Sequence, residues 1–296
     1  MIVIKLQGGL GNQMFQYAFG LSVAQQLKSP LYFDLSFFNQ SAVGLTPRSF
    51  ELALFEGSAS IAGDSLINSF FKPGIYQRGL NKLGINRTNI YKEHSLKFNS
   101  EVFEVKQPAY FEGFWQSEKY FNNTDELIRK SLFFKKHLSP ESQKISELII
   151  EEENPVSVHI RRGDYVSSKT TNELHGICSV KYYQQAIKLI KEKTADPHFY
   201  FFSDDPEWVK ENLLPASGSA TLVQNNAGSD SWQDMVLMSK CSHHIIANSS
   251  FSWWGAWLNA DQRKLVIAPE DWFSSKTAYF DDEDIVPESW IRLPNE

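Results

Sequence analysis

The segment SVHIRRGDYV, residues 157–166, sets His159, Arg161, Arg162 and Asp164 directly behind a run of apolar residues. Adjacent guanidiniums repel each other, so such a doublet persists where a carboxylate or a bound anion holds it. A guanidinium gives planar, paired N–H bonds to phosphate oxygens and stays charged at any working pH. Asp164 can orient an arginine or accept a proton from a substrate hydroxyl. The bland alternative is an Arg–Asp pair that serves only structure at a domain seam. The position of the doublet, just after a buried strand, favours an anion.

Three more polar clusters end apolar runs: Gly8-Gly9-Leu10-Gly11-Asn12-Gln13, Ser203-Asp204-Asp205, and Asn248 to Ser252. In open α/β sheets ligands bind beyond the carboxyl ends of the strands, so each is a candidate. The glycine turn reads as a backbone approaching an anion or sugar at a helix start, or as a tight strand-to-helix turn. A dinucleotide fingerprint would place glycine where Met14 stands. Asp34 does lie where a ribose-binding acid would, which keeps a nicotinamide-dependent oxidoreductase as a rival. Ser249, Ser250 and Ser252 at a helix start suit a phosphate contact or an ordinary N-cap. Asp204 and Asp205 suit a metal, a ribose hydroxyl, or the cap of a helix beginning at Pro206. Asp281 to Asp284 reads as a solvated loop. His243 and His244 point to opposite faces of a strand. No His, Cys and carboxylate set has metal-ligand spacing, so no metal and no cofactor is expected. Trp253, Trp254 and Trp257 read as core.

These clusters need strands and helices to place them. MIVIKL reads as a buried strand, QGGLGNQ as a turn, the following segment through Lys28 as a helix, and SPLYFDL as a strand ending at Asp34. Strand, turn, helix, strand is the pattern of a parallel α/β sheet. Residues 36–100 give no clear elements. A helix TDELIRKSLFF and a second helix with Ser139 as N-cap and Pro140 at its first position follow. The second half restarts with VSVHI and alternates helix and strand to a last strand, KLVIAP. Two α/β domains result, 1–153 and 154–296, with the boundary near Glu153 and a cleft between them.

The chain has 296 residues and a net charge of -6. It carries no basic stripe, which argues against a nucleic-acid binder. Cys178 and Cys241, far apart, make neither a disulfide framework nor a zinc site. The first apolar run is too short for a signal peptide or a membrane span. A soluble cytoplasmic protein with free thiols is expected.

Together HIRRGDYV, GGLGNQMFQYA, GFWQSEKYF and NSSFSWWGAWL resemble the bacterial α-1,2-fucosyltransferases of glycosyltransferase family 11. The likeness runs from residue 5 to residue 258. It implies a GT-B fold, two Rossmann-like domains with parallel sheets facing a central cleft. The N-terminal domain would take the acceptor and the C-terminal domain GDP-β-L-fucose. It implies inverting, metal-independent transfer of fucose to the 2-hydroxyl of a galactose residue. By similarity Arg161 binds the β-phosphate, His159 lines the donor site and Arg162 braces the motif. Asp234 would meet guanine and Ser250 a phosphate, while Gly9, Gly11 and Asn12 close over the donor. Ser203, Asp204, Asn248 and Ser249 are counted with the same site. Asp164 is the leading base, with His175 and Glu173 as rivals. The α-1,6 relatives carry a glutamate soon after the shared motif, but here YVSSKT follows, so no base can be copied from them. Trp115, Gln116, Glu118 and Lys119 face an acceptor or pack in the core. The acceptor is a galactose-terminated oligosaccharide or a lipid-linked glycan, which would bring the enzyme to the inner face of the membrane. A non-catalytic nucleotide-sugar or glycan-binding protein is the second rival.

Overall fold

A computed structural model describes residues 1–39, 48–57, 60–72, 89–163, 176–274 and 281–296. The chain divides into two compact units, Met1–Lys136 and His137–Glu296. In the first, strands β1 (Ile2–Lys5), β2 (Leu31–Asp34), β3 (Ser60–Ile61), β4 (Asn89–Lys92) and β5 (Ala109–Glu112) form one sheet in the order β3-β2-β1-β5-β4. All neighbours are parallel. Helices α1 (Leu10–Gln26), α2 (Asp64–Phe71) and α3 (Asp125–Ser131) accompany them. Strand β1 is central, and its Ile2, Val3 and Ile4 are fully buried. An interior parallel strand is covered on both faces, which is why it reads as an unbroken apolar run. The edge strand β4 instead alternates half-buried and exposed residues.

The second unit holds β6 (Pro155–Ile160), β7 (His198–Ser203), β8 (Ala220–Val223), β9 (His243–Ile245), β10 (Val266–Pro269) and β11 (Ile291–Leu293). They form one parallel sheet in the order β11-β10-β9-β6-β7-β8. Its helices are α4 (Pro140–Glu151), α5 (Val180–Lys193), α6 (Pro206–Asn212), α7 (Leu214–Ser217), α8 (Trp232–Lys240) and α9 (Ser250–Leu258). Helix α5 shows why such a segment folds where it does. Ser179 caps it by accepting from Tyr182 N at 3.1 Å. Tyr182, Tyr183, Ala186, Ile187 and Ile190 make one stripe at helical spacing. That stripe packs on Val156, Val158 and Ile160 of β6 and on Phe199 and Phe201 of β7. Each large apolar side chain so buried contributes roughly 1.5–3 kcal/mol.

Most elements fall where the sequence places them, but β5 (Ala109–Glu112) is not announced as a strand, and the boundary and the last strand also differ. The division lies between Lys136 and His137 rather than near Glu153. Helix α4 belongs to the second unit because its small polar face docks there. Ser139 N donates to Gln233 Oε1 at 2.7 Å, Ser142 Oγ to Asn226 Oδ1 at 3.0 Å, and Lys240 Nζ to Ser146 Oγ at 2.6 Å. KLVIAP is also not the last strand. Three residues, Ile291 to Leu293, add β11 outside it.

Candidate active site

In the second unit β6 begins the sheet, β7 and β8 run out one way, and β9 to β11 run out the other. This is the doubly wound order, and its switch point lies between the carboxyl ends of β6 and β9. Arg161 and Arg162 leave β6 there, and Asn248 and Ser249 leave β9.

The two arginines are separated by different partners. Arg161 Nη1 lies 2.9 Å from Asp204 Oδ2, at the end of β7. Arg162 Nε bonds Asp205 Oδ2 at 3.0 Å, and its guanidinium carbon sits 4.3 Å over the Trp208 ring. Arg162 N also donates to Asp204 Oδ1 at 2.8 Å, so Asp204 ties both ends of the doublet. Asp205 caps α6 as well, accepting from Trp208 N at 3.2 Å. Ser203 Oγ is spent on Asp205 N at 2.9 Å. Ser203, Asp204 and Asp205 therefore act first on the arginines and on the α6 cap.

His159 is 7% exposed, its ring centred 5.7 Å from that of Phe251. Burial drives its pKa down to about 4, countered by Asp204 and reinforced by Arg161. The ring is therefore neutral at working pH. Its Nδ1 is buried without a hydrogen-bond partner among the described residues.

At the end of β9 the polar residues divide. Asn248 faces inward, its Nδ2 donating to Trp272 O at 3.2 Å and its Oδ1 accepting from Cys178 Sγ at 3.6 Å. Ser252 turns its hydroxyl back to Ala247 O and Ser249 O. Both hold the turn, and this corrects their reading as ligand contacts. Ser249 is the N-cap residue of α9 but makes no side-chain cap bond. Ser249, Ser250 and the first N–H groups of α9 thus form the part of the cluster able to meet an anion.

Asp234, in the first turn of α8, is not a surface acid. It accepts from Asn226 Nδ2 at 2.7 Å. Burial lifts its pKa to about 7, opposed by that bond. Asn226, which follows β8, also takes Ser142 Oγ from α4, so this acid sits in a polar network at the far end of the sheet. Asp281 to Asp284 is likewise not a purely solvated loop. Asp282 Oδ2 accepts from Trp272 N at 2.7 Å, and Asp284 is buried. Trp253, Trp254 and Trp257 are core, as read. His244 is buried against Ser157, while His243 is half-exposed, in accord with opposite faces.

The first unit has its own switch point, between β1 and β5. The glycine turn leaves β1 and the segment 113–117 leaves β5. Gln116 Nε2 donates to Asn12 Oδ1 at 2.7 Å, so two separately quoted motifs meet here. Gly8 has φ +78, which disfavours any side chain, and a Cβ there would lie 2.5 Å from Asn12 Nδ2. Buried Gln13 pins the turn: Nε2 donates to Gly8 O and Ser49 O, and Oε1 accepts from Glu51 N. Buried Gln16 accepts from Gln7 N and donates to Gly113 O, joining the two strand ends. Arg48 is carried beside this turn, with Nη1 3.5 Å from where a Gly9 Cβ would stand. Burial raises the Glu51 pKa, countered by Arg48 and by the Leu10 N–H. Gly11 belongs to the first turn of α1.

Trp115 is core rather than a sugar platform. It is 3% exposed and stacks on Phe19 with centroids 4.2 Å apart. Glu118 begins a short 3-10 turn and acts electrostatically on Arg129. Lys119 lies in the same turn. Asp34 accepts from Tyr110 Oη at 2.5 Å and from Ser36 N at 2.8 Å, and it is buried among these partners rather than open to a ribose. Asp164, Glu173 and His175 lie outside the described residues. Among the described residues no group of His, Cys, Asp and Glu could hold a metal, and no helix is long and apolar enough to cross a membrane.

The sequence reading missed Gln16, Arg48 and Glu93, and it named Gln13 only as the end of the glycine cluster. The two glutamines had a signal, since they interrupt an otherwise apolar helix three residues apart. Arg48 and Glu93 had none, because both reach the site through long-range packing.

The family model for glycosyl transferase family 11 matches residues 1–294. The chain is similar to an alpha-1,2-colitosyltransferase of Escherichia coli, 34% identical over 305 aligned positions that cover 99% of each chain. It is 33% identical to the O-antigen biosynthesis glycosyltransferase WbnK of the same species, over 97% of this chain and 99% of that one. Galactoside alpha-(1,2)-fucosyltransferase 1 of Homo sapiens is 29% identical over 167 positions, 54% of this chain and 46% of that one. Among solved structures, fucosyltransferase NodZ from Bradyrhizobium aligns with a TM-score of 0.50 at 17% identity, covering 86% and 91% of the two chains. The architecture is of the GT-B type, with two Rossmann-like parallel sheets, and the chain belongs to glycosyltransferase family 11.

Proposed function

We propose that this glycosyltransferase moves L-fucose from GDP-β-L-fucose to the 2-hydroxyl of a galactose residue, with inversion and without a metal. The observation that carries the reading is Arg161, oriented by Asp204 at the switch point of the second sheet, with Ser249, Ser250 and the start of α9 at the adjoining strand end. Leaving GDP gathers negative charge on its β-phosphate as the C1–O bond breaks. A fixed guanidinium and preorganised N–H groups stabilise that charge more in the transition state than in the ground state. The fixed cation takes the place a divalent metal fills in other nucleotide-sugar enzymes. The acceptor oxygen attacks C1 from the opposite face, and its proton passes to a base. Asp164 is the first candidate, Glu173 and His175 the next. Neutral His159, whose Nδ1 has no hydrogen-bond partner among the described residues, lines the donor side. Asp234 would contact the guanine. Gly9, Gly11, Asn12 and Gln116 belong to the first unit, the one that would take the acceptor. A galactose-terminated oligosaccharide is the simplest acceptor. A lipid-linked glycan would bring the cytoplasmic enzyme to the inner membrane face.

The donor sugar has one close competitor. Colitose is L-fucose without its 3-hydroxyl, and one relative is an alpha-1,2-colitosyltransferase. A site built to hydrogen-bond a substrate hydroxyl rejects the analogue lacking it by about 10⁴–10⁵. The test is a donor panel, GDP-fucose against GDP-colitose, on galactose-terminated disaccharides, with the linkage read by NMR. Preference for GDP-fucose with an α-1,2 product supports the proposal. Preference for GDP-colitose keeps the reaction class and overturns the donor.

A further inference from the structure

We infer that Glu93 is a positioning residue for the acceptor end of the first unit, acting through a strained turn at Trp115. The inference rests on the reading of Gln116 as an acceptor-side group. Glu93 directly follows β4, and its N–H donates to Glu112 O at 2.9 Å, which aligns it with the end of β5. The residue is 9% exposed, and its carboxylate bends over the neighbouring strand end. Oε2 accepts from Phe114 N at 2.7 Å, and Oε1 accepts from Trp115 N at 2.9 Å. The approach is close enough that a Cβ on Gly113 would stand 2.5 Å from Glu93 Cβ.

The turn held this way is an unusual one. Trp115 has φ +56, a left-handed conformation that bulky residues avoid. It persists because several contacts over-determine it. The ring is stacked on Phe19, Ser117 N donates to Trp115 O at 2.9 Å, and Gln16 Nε2 donates to Gly113 O at 3.1 Å. The next residue is Gln116, whose amide reaches Asn12 at the glycine turn. Strain of this kind is retained where a backbone must aim a functional group.

The choice of a carboxylate is itself informative. Burying a charge is costly unless hydrogen bonds compensate it. A glutamine has one acceptor oxygen and an NH₂ that would face the second backbone N–H as donor against donor. A carboxylate offers each N–H group an oxygen of its own. Glu93→Gln therefore releases one side of the turn while keeping volume and shape, and Gln116 loses its fixed direction.

The test compares Glu93→Gln, Glu93→Asp and Gln116→Ala with the parent chain for kcat, acceptor KM, GDP affinity by calorimetry, and Tm. We expect Glu93→Gln to lower kcat/KM for the galactoside by about 10- to 100-fold, the scale of a small misplacement, with GDP affinity unchanged. Glu93→Asp keeps both acceptor oxygens and should recover part of the loss. A lower Tm with parental kcat and acceptor KM in Glu93→Gln overturns the inference and leaves Glu93 a fold residue. If Glu93→Gln does not fold, Glu93→Asp carries the same comparison, and parental kinetics in it overturn the inference. Should Gln116→Ala raise acceptor KM while both Glu93 variants match the parent, only the positioning role fails. Should Gln116→Ala also match the parent, the acceptor-side reading fails and takes the inference with it.

Discussion

Arg161 and Arg162 are adjacent in sequence, yet their surroundings assign them different work. Arg161 is steered by one carboxylate at the ligand end of the sheet, whereas Arg162 is held by Asp205 and the Trp208 face. Arg161→Ala should lower kcat/KM by about 10² to 10³, the cost of losing one preorganised contact to developing charge. Arg161→Lys should not restore it, since the planar fork is lost. Arg162→Ala should instead show in denaturant unfolding, as a loss of about 1 kcal/mol from a partly exposed ion pair and a cation–π contact. Near-normal kcat/KM in Arg161→Ala contradicts the assignment. Asp234 gives a pH prediction. Its folded pKa, about 7, lies above the ordinary 3.8. Between those values the folded state holds a proton that the unfolded state has released. Its contribution to stability is therefore full below about pH 4 and lost as pH rises through about 7. Asp234→Asn cannot ionise, so its Tm relative to the parent should climb between pH 4 and pH 7. A constant difference across that range contradicts the raised pKa. The arginine motif was visible in sequence because its residues are contiguous. The inward turn of Asn248 and Ser252 was not, because it depends on Trp272, Cys178 and the local backbone.

Helix α1 shows what a single element can and cannot disclose. Its apolar spacing and preceding glycines announce strand, turn and helix, and the helix is found at Leu10–Gln26. Apolar spacing does not describe all of it, since Gln13 and Gln16 are fully buried with the apolar residues. Each uses both ends of its amide on main-chain groups that come from other segments. A buried backbone group left unpaired costs about 1–3 kcal/mol. Gln13→Ala strands several at once, and a loss of roughly 2–4 kcal/mol is expected in urea unfolding. A change below about 0.5 kcal/mol, the range of an ordinary surface substitution, would show that the clamp is not needed. Residues 36–100 were illegible for a related reason. Their strands β3 and β4 have two and four residues and are defined by pairing with β2 and β5 rather than by any internal pattern.

At the scale of the whole molecule, each unit has a parallel sheet with one strand-order reversal, and the motif residues gather at those two reversals. That placement follows from topology: polar residues at the carboxyl ends of central strands are the ones a doubly wound sheet leaves available. The strand and helix alternation made this architecture readable from sequence. The boundary was misplaced because α4 looks like a polar linker helix, and only its bonds to Gln233, Asn226 and Lys240 attach it to the second unit. In the proposed mechanism a fixed guanidinium, and no metal, carries the charge of the departing nucleotide. The measurement that tests it most directly is product NMR with GDP-fucose and a galactose-terminated disaccharide, in excess EDTA and again with added magnesium or manganese. An α-1,2-fucosyl product should form in EDTA at a rate the metals do not raise. No product in EDTA, with turnover restored by either metal, would contradict it.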